Sequence, residues 1–355
     1  MNNYLFLDLE TYSDIDITKS GAYRYVESPN FEILLFAYAF NNENVQIIDI
    51  TKDKISDELY SALTDPNIIK VSHNANFERN ALKSYYGLVM PLAQWRCSMV
   101  KALTIGLPAS LGMIGKAMHL PEDAQKDKAG KALIQYFCKP CKPTKANGGR
   151  TRNLPEHDPE KWELFKMYCI QDVVTEIEIW NKLSIFPTTD KEQQLWELDQ
   201  KINDYGVGLD LKLINNAVEC NTEFTLRMKQ EAQELTGMDN PNSPAQLKEW
   251  ISGRIDQEVT SLTKESVTEL MKDCKDPKVL RLLELRQLMS KTSVKKYGAM
   301  LNSYCKDIRA HGLLQFYGAN RTGRWARQIN SGAKFTTKPS ARPRWCKGIS
   351  AERKV

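Results

Sequence analysis

The order of the apolar patterns along the chain constrains its fold more than any other feature. Four short apolar runs, rich in β-branched or aromatic residues and bounded by turn residues, predict strands. Segments with apolar residues at three- and four-residue spacing follow, which predicts helices and hence an α/β domain. The predicted strands are residues 4–9, 32–40, 45–50 and 68–72, and the predicted helices are residues 76–86, 111–118, 128–136 and 159–183.

The pattern changes after residue 186. Pro187 and the polar residues 188–191 are typical of a linker, and the segments beyond them are nearly all helical, with one charged and one apolar face. We therefore expect an α/β domain over residues 1–186, a mostly α-helical domain over residues 187–310, and a third part over residues 311–355. The helices predicted beyond the linker are residues 195–205, 211–235, 244–251 and 279–301.

The composition is that of a globular protein, with 42% hydrophobic and 26% charged residues in a chain of 355. A net charge of +5 permits a polyanionic partner without demanding one. No apolar stretch reaches the roughly 18 residues of a membrane span, and the first residues lack the basic flank of a signal peptide. We expect a cytoplasmic protein with no membrane partner.

The eight cysteines lack the paired spacing of a disulfide framework, so reduced thiols are expected. Cys138 and Cys141 form a C-x-x-C pattern, which is compatible with a redox pair or with half of a zinc site. No second pair follows at the usual interval. A turn at the surface is therefore the preferred interpretation.

Two carboxylates end the first predicted strand, LFLDLET. Because residues two apart in a strand share a face, Asp8 and Glu10 point to the same side, where a hard divalent cation can bind. An exposed strand end gives the same pattern. The pair alone therefore does not identify a metal site.

Two more segments carry acidic residues. In VSHNANFERNAL, a strand runs into a helix with Glu78 in its first turns. In YCIQD, Tyr168 and Asp172 are four residues apart and share one helix face. A polar helix surface explains each segment taken singly, but their joint occurrence in this order after the strand pair does not fit that explanation.

Together the three segments resemble the exonuclease motifs of the DEDD superfamily, in the form with tyrosine in the third motif. The resemblance covers roughly residues 1–185 and implies a ribonuclease H-like fold, as in the proofreading domains of DNA polymerases. It implies that Asp8, Glu10, Glu78 and Asp172 are catalytic and bind two ions of Mg²⁺ or Mn²⁺, and that Tyr168 orients the attacking water.

The chemistry of phosphodiester hydrolysis explains the number of carboxylates. Two divalent cations about 3.5 to 4 Å apart need anionic oxygens between and around them. They lower the pKa of a bound water and stabilise the attacking and leaving oxygens at phosphorus. Glu78 departs from the superfamily pattern, whose second motif ends in aspartate. Its extra methylene favours direct ligation where aspartate would act through a water, and we expect an altered activity.

The same resemblance places Thr11, Asn74 and Phe77 against the terminal nucleotide. Each of them also has a structural interpretation. Thr11 would be a strand-end hydroxyl, Asn74 a helix N-cap and Phe77 a core aromatic.

Four segments of the second half carry another resemblance: NPNSPAQLKEW, LTKESV, LELRQLMSKTSVKKY and GLLQFYGANRTGRWA. They resemble the thumb and the early palm of phage-type family A DNA polymerases, which implies a partial polymerase thumb that holds the DNA backbone. The alternative for its basic residues is a solvated surface charge. The predicted phosphate contacts are Arg286, Lys291, Lys295, Arg321 and Arg324.

Nucleotide addition needs palm aspartates and a fingers helix, and the chain ends before either, so we expect no polymerase activity. From Asn330 the sequence reads NSGAKFTTKPSARPRW, without helical or strand periodicity. Back-translated and read one base later, it permits IQVQNLPQN, which resembles the QNLP segment of family members. We therefore expect a frameshift near Arg327 and a non-native, disordered tail.

The function that these resemblances favour is a 3′-to-5′ exodeoxyribonuclease left by a truncated phage-type family A polymerase. Its substrate would be the 3′ end of single-stranded DNA or of a frayed primer, in the cytoplasm of a bacterium or of a phage-infected host cell. Three alternatives stay open: an RNA-trimming exonuclease, which the polymerase-like half disfavours, a non-catalytic protein that binds primer ends, and a product without a cellular role.

Overall fold

The structure is a computed structural model that describes residues 3–120, 130–290, 294–319 and 322–327. The predicted phosphate contacts Lys291 and Arg321 and the predicted frameshifted tail lie outside the described residues. The described residues form two compact units. The first unit holds the residues up to Leu209 and those from Asn302 onward, and the second holds Asp210–Leu301. The two units are grouped by contacts in space and do not divide the chain at residues 186 and 310. The domain boundaries expected at those residues stay a prediction.

A five-stranded mixed sheet forms the centre of the first unit, in the order β3-β2-β1-β4-β5. Its strands are β1 (Asn3–Tyr12), β2 (Glu32–Phe40), β3 (Gln46–Asp49), β4 (Ile68–Ser72) and β5 (Trp95–Cys97). β2 pairs antiparallel with β1 and β3, whereas β4 pairs parallel with β1 and β5. The four predicted strands are confirmed. β5 was not predicted, because three residues are too short for a periodic pattern.

Helices cover both faces of this sheet. Those of the first unit are α1 (Ile17–Val26), α2 (Asp57–Thr64), α3 (Asn76–Tyr86), α4 (Ser98–Thr104), α5 (Leu111–Ala117), α6 (Gly130–Phe137), α7 (Pro159–Lys182) and α8 (Asp190–Tyr205). The linker predicted over residues 188–191 is partly wrong, because α8 already begins at Asp190. The hydroxyl of Thr189 accepts a hydrogen bond from the backbone N–H of Glu192 and so caps the helix there.

Strand alternation sets which residues of β1 meet α7. Leu5, Leu7 and Leu9 pack in the core on one side of the sheet, together with residues of α3. Phe6 packs on the other side, in the core to which α7 contributes Trp162 and other side chains. Because residues two apart share a face, Asp8 and Glu10 lie on the same side as Phe6, beneath α7.

Two pairs of short strands follow α8. They are β6 (Val207–Gly208) with β7 (Arg309–Ala310), and β8 (Leu314–Ala319) with β9 (Arg324–Arg327). β8 and β9 are bonded to α8. The buried Asp199 of α8 accepts a hydrogen bond of 2.7 Å from Trp325 Nε1, and burial raises its pKa to about 6. Asn203, also on α8, donates to the carbonyl of Leu314 and accepts from its N–H, both at 2.9 Å. These bonds attach the segment after residue 302 to the first unit.

The second unit is helical. It contains α9 (Leu211–Thr236), α10 (Pro244–Ile255), α11 (Lys264–Asp273), α12 (Pro277–Met289) and most of α13 (Lys295–Ser303), with a core that includes Leu247, Val267 and Leu282. The single helix predicted over residues 279–301 is wrong, because α12 ends at Met289. Ser290 Oγ donates to the carbonyl of Gln287, a side-chain bond that competes with helix continuation. Across the described ranges, no helix has the length and the apolar character needed to cross a membrane.

Candidate functional site

Three of the predicted metal ligands come together beneath α7. Each of Asp8, Glu10 and Asp172 offers a carboxylate oxygen that lies within 4.8 Å of the others. Glu10 and Asp172 are buried, and Asp8 is partly exposed. In the part of the chain that the structure describes, no other group of three or more acidic, histidine or cysteine side chains has this geometry. The donor set is made of oxygen alone and is strongly anionic, which fits a hard divalent cation.

Two buried thiols lie against these carboxylates. Cys169 Sγ lies 3.8 Å from Asp8 Oδ2, and Cys138 Sγ lies 3.8 Å from Glu10 Oε2. Burial, and then the neighbouring negative charges, raise the pKa of both thiols well above the usual value, so that they stay protonated and act as weak donors. The predicted surface turn at Cys138 and Cys141 is therefore wrong for Cys138, whose side chain packs in the core beside α7.

Tyr168 lies one turn before Asp172 on α7 and is buried. Burial, followed by the charges of Asp172, Glu10 and Asp8, raises the pKa of its phenol, which therefore keeps its proton. Gly130, the first residue of α6, lies directly against the ring, because a Cβ at that position would be 1.9 Å from Tyr168 Cε2. This requirement for glycine was not predicted, because it depends on a contact between distant residues.

Glu78, the fourth predicted ligand, lies in the first turn of α3, outside the group of three carboxylates. Its side chain is 3% exposed, and Glu78 Oε2 has no hydrogen-bond partner among the described residues. Burial, and next the charge of Asp8, raise the pKa of Glu78 well above its usual value. The glutamate therefore borders the acidic group as a buried carboxyl with an unused oxygen.

A fifth acidic residue at this place was missed by the sequence analysis. Glu176 follows Asp172 by four residues on α7, is 1% exposed, and has an Oε1 atom without a partner among the described residues. Burial raises its pKa well above the usual value, a hydrogen bond with Ser98 opposes this rise, and the charges of Asp8 and Asp172 add to it. The four-residue spacing from Asp172 was the signal that could have found it.

A cavity of about 500 Å³ adjoins Glu10, and its lining includes Thr11, Phe77 and Tyr25. Thr11 Oγ1 lies 3.0 Å from the hydroxyl of Tyr25, and the Phe77 ring packs against Tyr25 with centroids 6.0 Å apart. Asn74 is exposed, has φ of 75°, and does not line this cavity. The helix N-cap suggested as its structural role is wrong, because the N-cap residue of α3 is Ala75.

The predicted phosphate contacts that the structure describes are partly or fully exposed. Arg286 lies in the last turn of α12, Lys295 begins α13, and Arg324 begins β9. Arg286 and Lys295 belong to the second unit and Arg324 to the first. Within the described ranges, no ion pair joins any of the three to a carboxylate.

The fold is similar to that of a solved structure over most of the chain. The chain superposes with a TM-score of 0.50 and 16% identity on the POL domain of M. smegmatis Pol1, solved in complex with a DNA primer-template and dNTP. The match covers 92% of this chain and 51% of that one. A weaker match, with a TM-score of 0.37 and 17% identity, covers 56% of the chain and 57% of Trypanosoma brucei RNase D in complex with GMP.

A relative found by sequence is more similar to the chain than these two solved structures are. The chain is 52% identical over 326 residues to the DNA polymerase of Bacillus phage SP02, which covers 92% of this chain and 50% of the relative. The chain is therefore a homologue of a phage DNA polymerase, as the resemblance predicted, and it spans about half the length of that relative. No protein-family model matches it.

Replacing Glu176 by glutamine should reduce the dependence of stability on pH. Because the pKa of Glu176 is raised in the folded chain, the folded state binds more protons than the unfolded state above the ordinary pKa of glutamate. The free energy of unfolding therefore falls as the pH rises through this window. We measure the free energy of unfolding by urea, in EDTA. At about pH 8 we expect it to be about 1 kcal/mol larger for Glu176→Gln than for the wild type, with a smaller difference at about pH 5. Glu178→Gln, an exposed change on the same helix, is the control, and equal effects of the two variants would refute the assignment.

Gly130→Ala should displace the Tyr168 ring, because the new Cβ overlaps it. We expect a loss of about 1 to 3 kcal/mol in the free energy of unfolding, which is typical of overpacking. The matched control is Gly253→Ala on α10, where nothing lies within 4 Å of the new Cβ and a gain of up to about 1 kcal/mol is expected. Thermal unfolding of the two variants by calorimetry measures the difference. A gain for Gly130→Ala as well would show that the ring does not depend on this glycine.

Proposed function

We propose that the first unit is a ribonuclease H-like 3′-to-5′ exonuclease that removes nucleotides from DNA ends with two ions of Mg²⁺ or Mn²⁺. The observation that carries the proposal is the convergence of Asp8, Glu10 and Asp172, whose carboxylate oxygens lie within 4.8 Å of one another. Three such charges in a partly buried place repel one another, and divalent cations offset that repulsion. Homology to a phage DNA polymerase supports a substrate that is DNA.

The two cations would supply a nucleophile near neutral pH and would stabilise charge on the attacking and leaving oxygens at phosphorus. The protein holds their ligands from two directions: β1 presents Asp8 and Glu10, and α7 presents Asp172. Glu78 and Glu176 border this group from α3 and α7. Their unused oxygens make them candidates for direct ligation or for hydrogen bonds to coordinated water.

Tyr168 would orient the attacking water. Its phenol is protonated, so it can donate a hydrogen bond to a phosphate oxygen or to water and can also accept one. Its ring lies against Gly130 and is stacked with the ring of Phe165, with centroids 6.3 Å apart, so the hydroxyl has a defined position one turn from Asp172.

The cavity beside Glu10 would receive the terminal nucleotide. Phe77 offers an aromatic face and Thr11 a hydroxyl to this cavity, and Asn74, which lies outside its lining in the turn after β4, would contact the part of the nucleotide that extends beyond it. Farther from the cut, the proposed contacts with DNA phosphates are Arg286, Lys291, Lys295, Arg321 and Arg324.

Degradation of end-labelled single-stranded DNA in Mg²⁺ tests this proposal. A 3′ label should be released at once as a mononucleotide, whereas 5′-labelled strands should shorten stepwise. EDTA should abolish both, and Asp8→Ala should slow them on the order of 100-fold or more, because a proposed ligand is lost. Asp53→Ala, which removes an exposed carboxylate in the loop after β3, is the matched control and should leave the rate unchanged.

The position of Glu78 outside the group of three favours one other candidate, a protein that binds primer ends without cutting them. Tight binding of the same oligonucleotide without shortening, in Mg²⁺ and in Mn²⁺, would exclude the nuclease and support that candidate. An equal rate for Asp8→Ala and Asp53→Ala would show that the cleavage does not arise at this site.

A further inference from the structure

A groove of about 750 Å³ lies near the beginning of β1 and the end of α7. Tyr4 and Trp180 line it from these two elements. The residues that line it include two cations, Arg96 and Lys101, and no aspartate or glutamate. Tyr4 precedes Asp8 by four residues of β1, about 13 Å along the strand, and no proposed metal ligand lines the groove. We call this feature the basic groove.

Lys101 is a buried cation without a counter-charge among the described residues. Its side chain lies on α4 and is 8% exposed, and its ammonium lies 4.3 Å from the centroid of the Trp180 ring. No carboxylate of a described residue is within ion-pair distance of it. Burial lowers the pKa of Lys101, and no described charge opposes that effect. The cation–π contact offsets part of the desolvation cost, and an anion would offset more.

Two of the four amide side chains that line the groove, those of Asn41 and Asn42, have their acceptor atoms engaged. Asn41 Oδ1 accepts a hydrogen bond of 3.0 Å from the backbone N–H of Tyr4, and Asn42 Oδ1 accepts one of 2.9 Å from Asn181 Nδ2. The NH₂ groups of Asn41 and Asn42 remain as donors. The groove therefore combines positive charge with hydrogen-bond donors.

Arg96, on β5, adds a second cation to the same lining. One of its terminal nitrogens donates to the carbonyl oxygens of Ala93 and Trp95, at 2.7 and 2.8 Å, which fixes the guanidinium beside the groove. Burial lowers the pKa of Arg96, and the charges of Glu197 and Asp190 on α8 oppose that effect without forming an ion pair. Its other N–H groups suit an oxyanion with several acceptor atoms.

We propose that the basic groove binds a phosphate group, held by Lys101 and Arg96 and by the amides of Asn41 and Asn42. A phosphate offers more oxygens than a carboxylate, and it matches two cations and two amide donors that approach from different elements. The same chemistry is presented by a free phosphate or nucleotide and by a DNA strand. The proposal does not depend on the nuclease activity, since none of these residues belongs to the acidic group.

The aromatic residues of the groove indicate that it recognises phosphate rather than a base. Lys101 occupies one face of the Trp180 ring, and Tyr4 and Phe6 pack edge-on against it, with centroids 5.7 and 6.1 Å away. One face of the Trp180 ring is thus taken up by the cation. We expect binding that does not discriminate between bases.

Isothermal titration of the full chain with inorganic phosphate, in EDTA and at constant ionic strength, tests the proposal. We expect one saturable site with a dissociation constant in the millimolar range or tighter, since two cations are engaged. Lys101→Met keeps the side-chain length without the charge and should weaken binding at least tenfold, and Arg96→Gln should do the same if the first variant is unstable. Lys54→Met, an exposed lysine before α2, is the matched control and should bind as the wild type does.

Competition by dAMP, by dCMP and by a 5′-phosphorylated oligonucleotide distinguishes the two sources of phosphate. Displacement by the oligonucleotide supports a DNA strand as ligand, and displacement by the mononucleotides alone supports a small ligand. The absence of saturable binding, or equal affinity of Lys101→Met and Lys54→Met, would overturn the proposal. Neither result depends on whether the chain cleaves DNA.

Discussion

Repulsion among the carboxylates beneath α7 is the interaction that the rest of the first unit has to balance. Asp8 and Glu10 lie on a central strand whose opposite face packs in the hydrophobic core. Because the strand cannot rotate without exposing that core, the two carboxylates stay close to Asp172. Glu78 and Glu176 are buried beside these carboxylates, which adds a desolvation cost to folding. The same burial raises the pKa of both side chains. A fold that places two buried carboxyl groups at the border of three close carboxylates is understandable if cations neutralise the three.

The aromatic core between α7 and the sheet supplies the stability that this arrangement requires. Trp162 Nε1 donates to Asp49 of β3, and the rings of Phe137 and Phe165 stack with centroids 5.5 Å apart. This packing fixes the rotation of α7 about its axis, and the rotation decides that Tyr168, Asp172 and Glu176, at four-residue spacing, all face β1. The position of each catalytic candidate on α7 therefore follows from hydrophobic packing several residues away.

Local patterns were sufficient to predict much of this molecule from its sequence. The strands β1 to β4 and the helix α3 follow from periodicity, which depends on neighbouring residues only, whereas the ligands proposed on β1 and α7 were singled out by the resemblance to the exonuclease motifs. Features that depend on tertiary contact could not be read in that way: the burial of Cys138 and the fit of Gly130 against Tyr168. The start of α8 was missed although its cap, Thr189 with Glu192 three residues later, is a local signal. Glu176 is an intermediate case, because its spacing was visible whereas its burial was not.

Binding of Mn²⁺ to the full chain, measured by electron paramagnetic resonance, tests most directly whether the acidic group is a two-metal site. The proposed site predicts two bound ions per chain with spin coupling between them, as expected for metals about 3.5 to 4 Å apart. It also predicts that Asp172→Asn lowers the number bound or abolishes the coupling. Uncoupled ions, or the same binding in wild type and Asp172→Asn, would contradict a two-metal site at Asp8, Glu10 and Asp172.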